Sequence, residues 1–264
     1  MKKVIVFIKQ VPDTSELKID PVTNTMIREG VPSIINPFDM YAIEEAVRIK
    51  EKWGDTEVTV ITMGPPQADA ALREAISMGC DNAVLLSDRK FAASDTWATS
   101  YVLSKAVGKI GEYDVLLAGK QATDGDTAQV GPGIATWLGI PCITYVNNIE
   151  EIKPGYVKLH RMHDEGYDVI EIEGKFLLTV LKELNEPRIA SFRGKMNAKK
   201  AEIPVWTAED IGADPAKIGF MGSPTRVVKA FSPPVKQGGI KISAEEDPSV
   251  PEKLKSYLRE KLII

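Results

Sequence analysis

Short, mostly apolar runs and stretches of helical periodicity alternate through residues 1–148, and nothing else in the chain restricts its fold as strongly. Residues 4–8, 58–63, 83–86, 114–118 and 141–146 have strand length and the near-continuous apolar character of strands buried on both faces. A helix is predicted over 37–52. Ile43, Ala46, Val47 and Ile49 recur there at helical spacing, after Asn36 as N-cap, Pro37 at the first helical position and Asp39 in the first turn. Further helices are predicted over 68–78, from Ser94 or Asp95 to about 107, and from Thr127 to 138. Strands alternating with helices predict an α/β fold: a doubly wound, mostly parallel, Rossmann-like sheet with helices on both faces.

The rhythm changes after residue 148. Residues 156–160, 167–173 and 176–181 read as short strands joined by turns at Asp164-Glu-Gly166 and Glu173-Gly174, so a small antiparallel extension is expected. Asn185-Glu-Pro-Arg188 breaks this pattern, and a basic stretch follows with Arg188, Arg193, Lys195, Lys199 and Lys200. Pro233, Pro234, Gly238, Gly239 and Pro248 argue against a packed domain near the end. The expected organisation is therefore one unit over 1–200 and an extended arm over 201–264 that packs on another protein, with a helix at about 252–262.

Composition removes several function classes. A net charge of −4 gives no support for nucleic-acid binding. No apolar run approaches the roughly 20 residues of a membrane span. Met-Lys-Lys and the apolar run after it lack a small-residue cleavage site, so they read as a first strand and not as a leader. Cys80 and Cys142 are too few for a disulfide framework, and His160 and His163 lack ligand partners at metal-site spacing. A reducing cytoplasm is the expected compartment.

In open parallel sheets, ligands bind beyond the carboxyl ends of the strands, where the strand order switches. Four loops meet that description here: 9–13, 63–66, 88–95 and 119–126. Gly119, Gly125, Gly131 and Gly133 permit close backbone approach. Thr123, Thr127 and the helix expected to start there offer hydroxyls, N–H groups and a positive dipole end, while Asp95, Thr96 and Thr99 open a second helix at the same edge. Asp124 and Asp126 suit ribose hydroxyls, amides or a cation better than phosphate, and Asp124-Gly125 equally fits a plain Asx-turn. There is no Gly-x-Gly-x-x-Gly after the first strand and no P-loop, which disfavours a Rossmann dehydrogenase and a P-loop NTPase. The residues alone point to an adenine-nucleotide-type pocket. A free-standing ATP-binding regulator is a competing class, although residues 149–264 exceed what such a protein needs.

Three segments carry a resemblance: Asn36-Pro-Phe-Asp-Met-Tyr-Ala-Ile-Glu-Glu-Ala-Val-Arg48, the segment from Gly119 to Gly133, and Leu184-Asn-Glu-Pro-Arg188 with the basic stretch after it. In order and spacing the chain resembles the beta subunit of electron-transfer flavoproteins. The resemblance implies pairing with an alpha subunit that carries FAD. It also implies a second nucleotide in this chain, which is structural AMP in ordinary members and FAD in electron-bifurcating ones. It places nucleotide contacts on Phe7, Lys9, Asn36, Pro37, Phe38, Asp39 and Met63, and on Gly119, Lys120, Gln121, Ala122, Thr123, Asp124, Gly125, Asp126, Thr127, Ala128, Gln129 and Val130.

Lys9-Gln-Val-Pro-Asp-Thr14, Ser94-Asp-Thr-Trp-Ala-Thr99 and Asp124-Gly-Asp-Thr-Ala-Gln-Val-Gly-Pro132 look like the bifurcating branch. A dinucleotide is longer than AMP and uses the extra hydroxyls of Thr96 and Thr99. This branch implies NADH as donor. The acceptors are ferredoxin or flavodoxin and, through the alpha-subunit FAD, a flavin dehydrogenase or reductase of the acyl-CoA type or similar. Residues 185–200 are similar to the loop that docks this dehydrogenase, with Asn185, Arg188, Phe192, Lys199 and Lys200 as its contacts and Phe192 at the anchor position. The alternative is a strand-ending turn followed by solvated lysines. No residue reads as a general acid or base, so the chain is expected to act only within a complex.

Overall fold

A computed structural model describes residues 2–13, 32–228, 239, 243 and 247–263. Thr14, Pro233, Pro234 and Gly238, used in the sequence reading, lie outside the described residues. In chain order the elements begin with β1 (Lys3–Phe7), β2 (Gln10–Pro12), β3 (Ser33–Ile35), α1 (Pro37–Trp53), β4 (Glu57–Met63) and α2 (Asp69–Met78). β5 (Asn82–Leu86), α3 (Thr96–Ile110), β6 (Val115–Gly119) and α4 (Val130–Leu138) follow. Then come β7 (Cys142–Lys153), β8 (Tyr156–His163), β9 (Gly166–Glu173), β10 (Phe176–Val180), α5 (Phe192–Lys200), β11 (Val205–Trp206) and α6 (Val250–Glu260).

The main sheet has the order β11-β5-β4-β1-β6-β10-β7-β8-β9. Pairing is parallel from β11 through to β7 and antiparallel for β7–β8–β9. Strand alternation divides the core into two. Val4 and Val6 of β1 join the cluster under α1 and α2, whereas Ile5 and Phe7 join the cluster under α3. The expected α/β sheet is therefore present, with helices on both faces.

Four expectations need correction. The strand expected at 176–181 is not part of the antiparallel extension: β10 lies in the interior, parallel to both β6 and β7, with Phe176, Leu177 and Leu178 fully buried. A Phe-Leu-Leu-Thr-Val run buried on both faces carries no mark of its neighbours' direction. The strand expected to stop at 146 continues to Lys153, so the change of rhythm at 148 falls inside one strand. It is parallel where it meets β10 and antiparallel where it meets β8.

The boundary expected after residue 200 also moves. β11 extends the sheet beside β5, and Ala208, Ile211 and Ile218 are buried in the α3-side core. Lastly, the helix expected from Thr127 starts at Val130. Asp126 and Ala128 have φ of 52° and 53°, in the left-handed region that a right-handed helix excludes.

Candidate nucleotide-binding edge

β1 has β4 on one side and β6 on the other, so the chain winds outward in both directions from it. The carboxyl ends of these strands form the switch point. Side chains sew the loop after β6 to this edge. Asn36 Nδ2 donates to Gln121 O at 2.8 Å, and Asn36 Oδ1 accepts from Thr123 N at 3.0 Å. Lys9 Nζ lies 2.6 and 2.8 Å from the two Asp124 carboxylate oxygens. Gln121 Nε2 donates to Asp126 Oδ1 at 2.5 Å, while Ala122 O accepts from Gly125 N and Asp126 N.

Asn36 thus corrects the capping expectation. It occupies the N-cap of α1 but makes no side-chain cap bond, and its amide serves the loop instead. Asp39 holds the start of α1 against β1, accepting the Lys9 N–H at 2.7 Å. Burial pushes the Asp39 carboxyl up to about 7, against the opposing pull of hydrogen bonds from Asn36, Lys9 and Gly119. Gly119 is required by contact: a Cβ there would collide with Asp39 Oδ1 and stand 2.6 Å from the Phe38 carbonyl carbon.

The other glycines divide by use. A Cβ on Gly131 would stand 2.6 Å from Thr179 Cγ2, and one on Gly133 would stand 2.6 Å from Ser100 Oγ. These two residues let α4 approach β10 and α3. Gly125 meets nothing within 4 Å and lies on the open side of the loop.

The two helix starts differ. α3 is capped by Asp95, whose Oδ1 accepts from Trp97 N and Ala98 N, each at 3.0 Å. The N-cap residue of α4, Gln129, makes no side-chain cap bond, and among the described residues no carboxylate or hydroxyl takes the first N–H groups of this helix. Thr96 Oγ1 donates to Gln129 Oε1 at 2.9 Å and so joins the two helix starts. Thr99 is half-buried one turn into α3. Exposed Thr123 and Thr127, the open α4 start and the Lys9 ammonium form a donor set that fits a nucleotide phosphate, because Asp124 and Asp126 are already partnered by Lys9 and Gln121.

The remaining expected residues are placed differently. Phe7 is buried in the α3-side core beneath the edge, and Met63 packs against the same cluster. Pro37 is exposed at the first turn of α1. Lys120 continues from β6, its N–H bonded to Val180 O at 3.0 Å, and its ammonium lies 5.8 Å from the Phe38 ring centroid. The same ammonium lies 5.1 Å from the ring of Tyr145, a strand residue with φ of 60° that sequence reasoning missed. Ser223 and Thr225 were also missed. Both bond to Asp95 from far along the chain, and no local pattern marks them. Among the described residues no group of three or more His, Cys, Asp or Glu could hold a metal ion, and no helix is long and apolar enough to cross a membrane.

The electron transfer flavoprotein domain model matches residues 23–211. The chain belongs to the electron transfer flavoprotein family. Its relatives include proteins named electron transfer flavoprotein subunit beta, and three of these relatives are matched over 83–100% of their own length. It is 51% identical over 262 residues to the caffeyl-CoA reductase-Etf complex subunit CarD of Acetobacterium woodii, covering 99% of this chain and 100% of that protein. It is 49% identical over 251 residues to the electron transfer flavoprotein subunit beta of Megasphaera elsdenii, covering 93% of each. Protein FixA of Azotobacter vinelandii is 47% identical over 235 residues, covering 87% of this chain and 83% of FixA.

In this electron transfer flavoprotein the basic segment is partly helical. Ser191 Oγ caps α5 by accepting Gly194 N at 3.0 Å. Phe192, in the first turn, is 81% exposed, and neighbouring Ile189 is 93% exposed. Lys199 and Lys200 lie in the last turn. Asn185 and Arg188 turn inward. Asn185 Nδ2 donates to Tyr41 O and Glu45 Oε2, each at 3.0 Å. The Arg188 guanidinium lies 2.8 Å from Glu44 and 2.5 Å from Glu51. Burial alone would raise the Glu44 carboxyl, but hydrogen bonds from Arg188 and Arg48 bring it below the usual range.

Proposed function

We propose that this beta subunit is the nucleotide-carrying half of an electron-bifurcating flavoprotein. FAD sits at the edge described above, and NADH is the donor. The acceptors are ferredoxin or flavodoxin and, through the FAD of an alpha subunit, a flavin dehydrogenase or reductase. The observation that carries this reading is the pre-sewn 119–126 loop with the uncapped start of α4 joined to α3 through Thr96 and Gln129. The similarity to CarD, a subunit of a caffeyl-CoA reductase-Etf complex, supports the reductase partner.

When bound, a flavin supplies hydride acceptance and one-electron release. The chain supplies position. Lys9 and the α4 start neutralise and orient phosphate, Asn36 and Asp39 hold the loop that receives it, and Thr96 and Thr99 extend the seat beyond the length of AMP. Phe192, Ile189, Lys199 and Lys200 form the face offered to the dehydrogenase, with Asn185 and Arg188 holding its backbone to α1.

The test is co-purification with the alpha subunit and a nucleotide count. Two FAD per heterodimer is the expected result. One FAD with one AMP would assign the chain to the structural-AMP branch. A heterodimer without nucleotide on this chain would sink the edge as a nucleotide site.

A further inference from the structure

Asp95 divides its carboxylate between two tasks 130 residues apart in sequence. Oδ1 caps α3 through Trp97 N and Ala98 N. Oδ2 accepts from Thr225 N at 2.9 Å and from Thr225 Oγ1 at 2.7 Å. The Asp95 N–H donates to Ser223 Oγ at 2.8 Å, and Ser223 Oγ donates to Gly219 O at 2.7 Å. Gly219 N donates to Ser94 Oγ at 3.0 Å. The contact is tight enough to demand glycine, since a Cβ on Gly219 would strike the Lys90 carbonyl. Gly219 also has φ of 56°. Beyond this clasp, residues 226–228 are exposed and α6 buries none of its residues. The clasp therefore marks where the C-terminal arm leaves the α/β unit.

We propose that Asp95 is a positioning residue that makes nucleotide phosphate and the arm root compete for the start of α3. The inference rests on the nucleotide reading above. Asp95 places a full negative charge at the helix start and occupies its second and third N–H groups. Thr96, the next residue, reaches across to Gln129 at the α4 start. An anion seated between the two helices meets the Asp95 charge at close range and seeks the same donors. Its binding weakens the cap and, through the shared carboxylate, the hold on Thr225. By linkage, an arm root held firmly disfavours the anion by the same factor. Nucleotide loading thus loosens the arm at 223–225.

The experiment is hydrogen exchange on the complete alpha–beta complex, read at the peptide covering 220–228, with and without saturating AMP or FAD. Exchange there should speed up about 5-fold or more with nucleotide, the low end of ordinary couplings. Ser223→Ala with Thr225→Val should erase that response and tighten nucleotide binding by a similar factor. Asp95→Asn, which removes the charge, should tighten it as well. Unchanged or slower exchange at 220–228 while nucleotide binds would overturn this inference and leave the nucleotide reading standing. Failure of both AMP and FAD to bind would overturn both.

Discussion

The Lys9 ammonium grips the Asp124 carboxylate at 2.6 Å, joining the end of β1 to the loop after β6 across the mouth of the candidate site. The pair is asymmetric: Lys9 is 46% exposed and Asp124 only 7%. The two partners should therefore respond differently to removal. Lys9→Met leaves a nearly buried carboxylate without its cation and should cost about 1–3 kcal/mol. Asp124→Asn leaves an exposed lysine free in solvent and should cost under about 1 kcal/mol. Denaturant unfolding of both variants and their double mutant checks this. Equal losses would mean that the ion pair does not order the loop.

Gly119 and Gly125 should separate by stability. Gly119→Ala drives a methyl into Asp39 and the Phe38 backbone, an overpacking cost of about 1–3 kcal/mol, and it should weaken nucleotide binding by displacing the loop. Gly125→Ala meets open space and should leave the melting temperature nearly unchanged. Thermal melts with bound-nucleotide counts distinguish the two.

Asp39 should make stability depend on pH in an unusual direction. Its folded value of about 7 lies above the ordinary 3.8, so between those values the folded state holds a proton that the unfolded state has lost. Its contribution is greatest below about pH 4 and is lost as pH rises through 7. Asp39→Asn cannot ionise and should lack this loss. Urea midpoints at pH 5 and pH 8 should shift in favour of the variant at the higher pH, by roughly 1–3 kcal/mol in the difference. A pH-independent difference would show that the carboxylate is ionised throughout.

Phe192 and Arg188 lie four residues apart and should fail in opposite assays. Phe192→Ala removes an exposed ring and should change stability by less than about 0.5 kcal/mol, while weakening dehydrogenase binding by about 1–2 kcal/mol. Arg188→Ala leaves Glu44, which is 4% exposed, with Arg48 as its remaining arginine partner, breaks the ion pair to Glu51, and should destabilise the fold itself. Melting curves and binding isotherms on the assembled heterodimer read both.

Much of this protein was legible in its sequence because local patterns carry local physics. Apolar runs of strand length, Pro37 after Asn36, and Asp95 ahead of Thr96 state backbone period and capping within a few residues, and α1, α3 and the parallel sheet follow from them. The polar loop 119–126 declared itself by composition and by its place after a strand. Tertiary structure decided what each group touches. β10 entered the middle of the sheet, because a run buried on both faces fits any central slot until its neighbours are known. Asn36 left its cap to bridge residues 85 positions away, and Asp95 shared its carboxylate with Thr225 at a separation of 130. Hydrogen bonds at such separations depend on where the sheet brings two loops together, and no window of neighbouring residues contains that information.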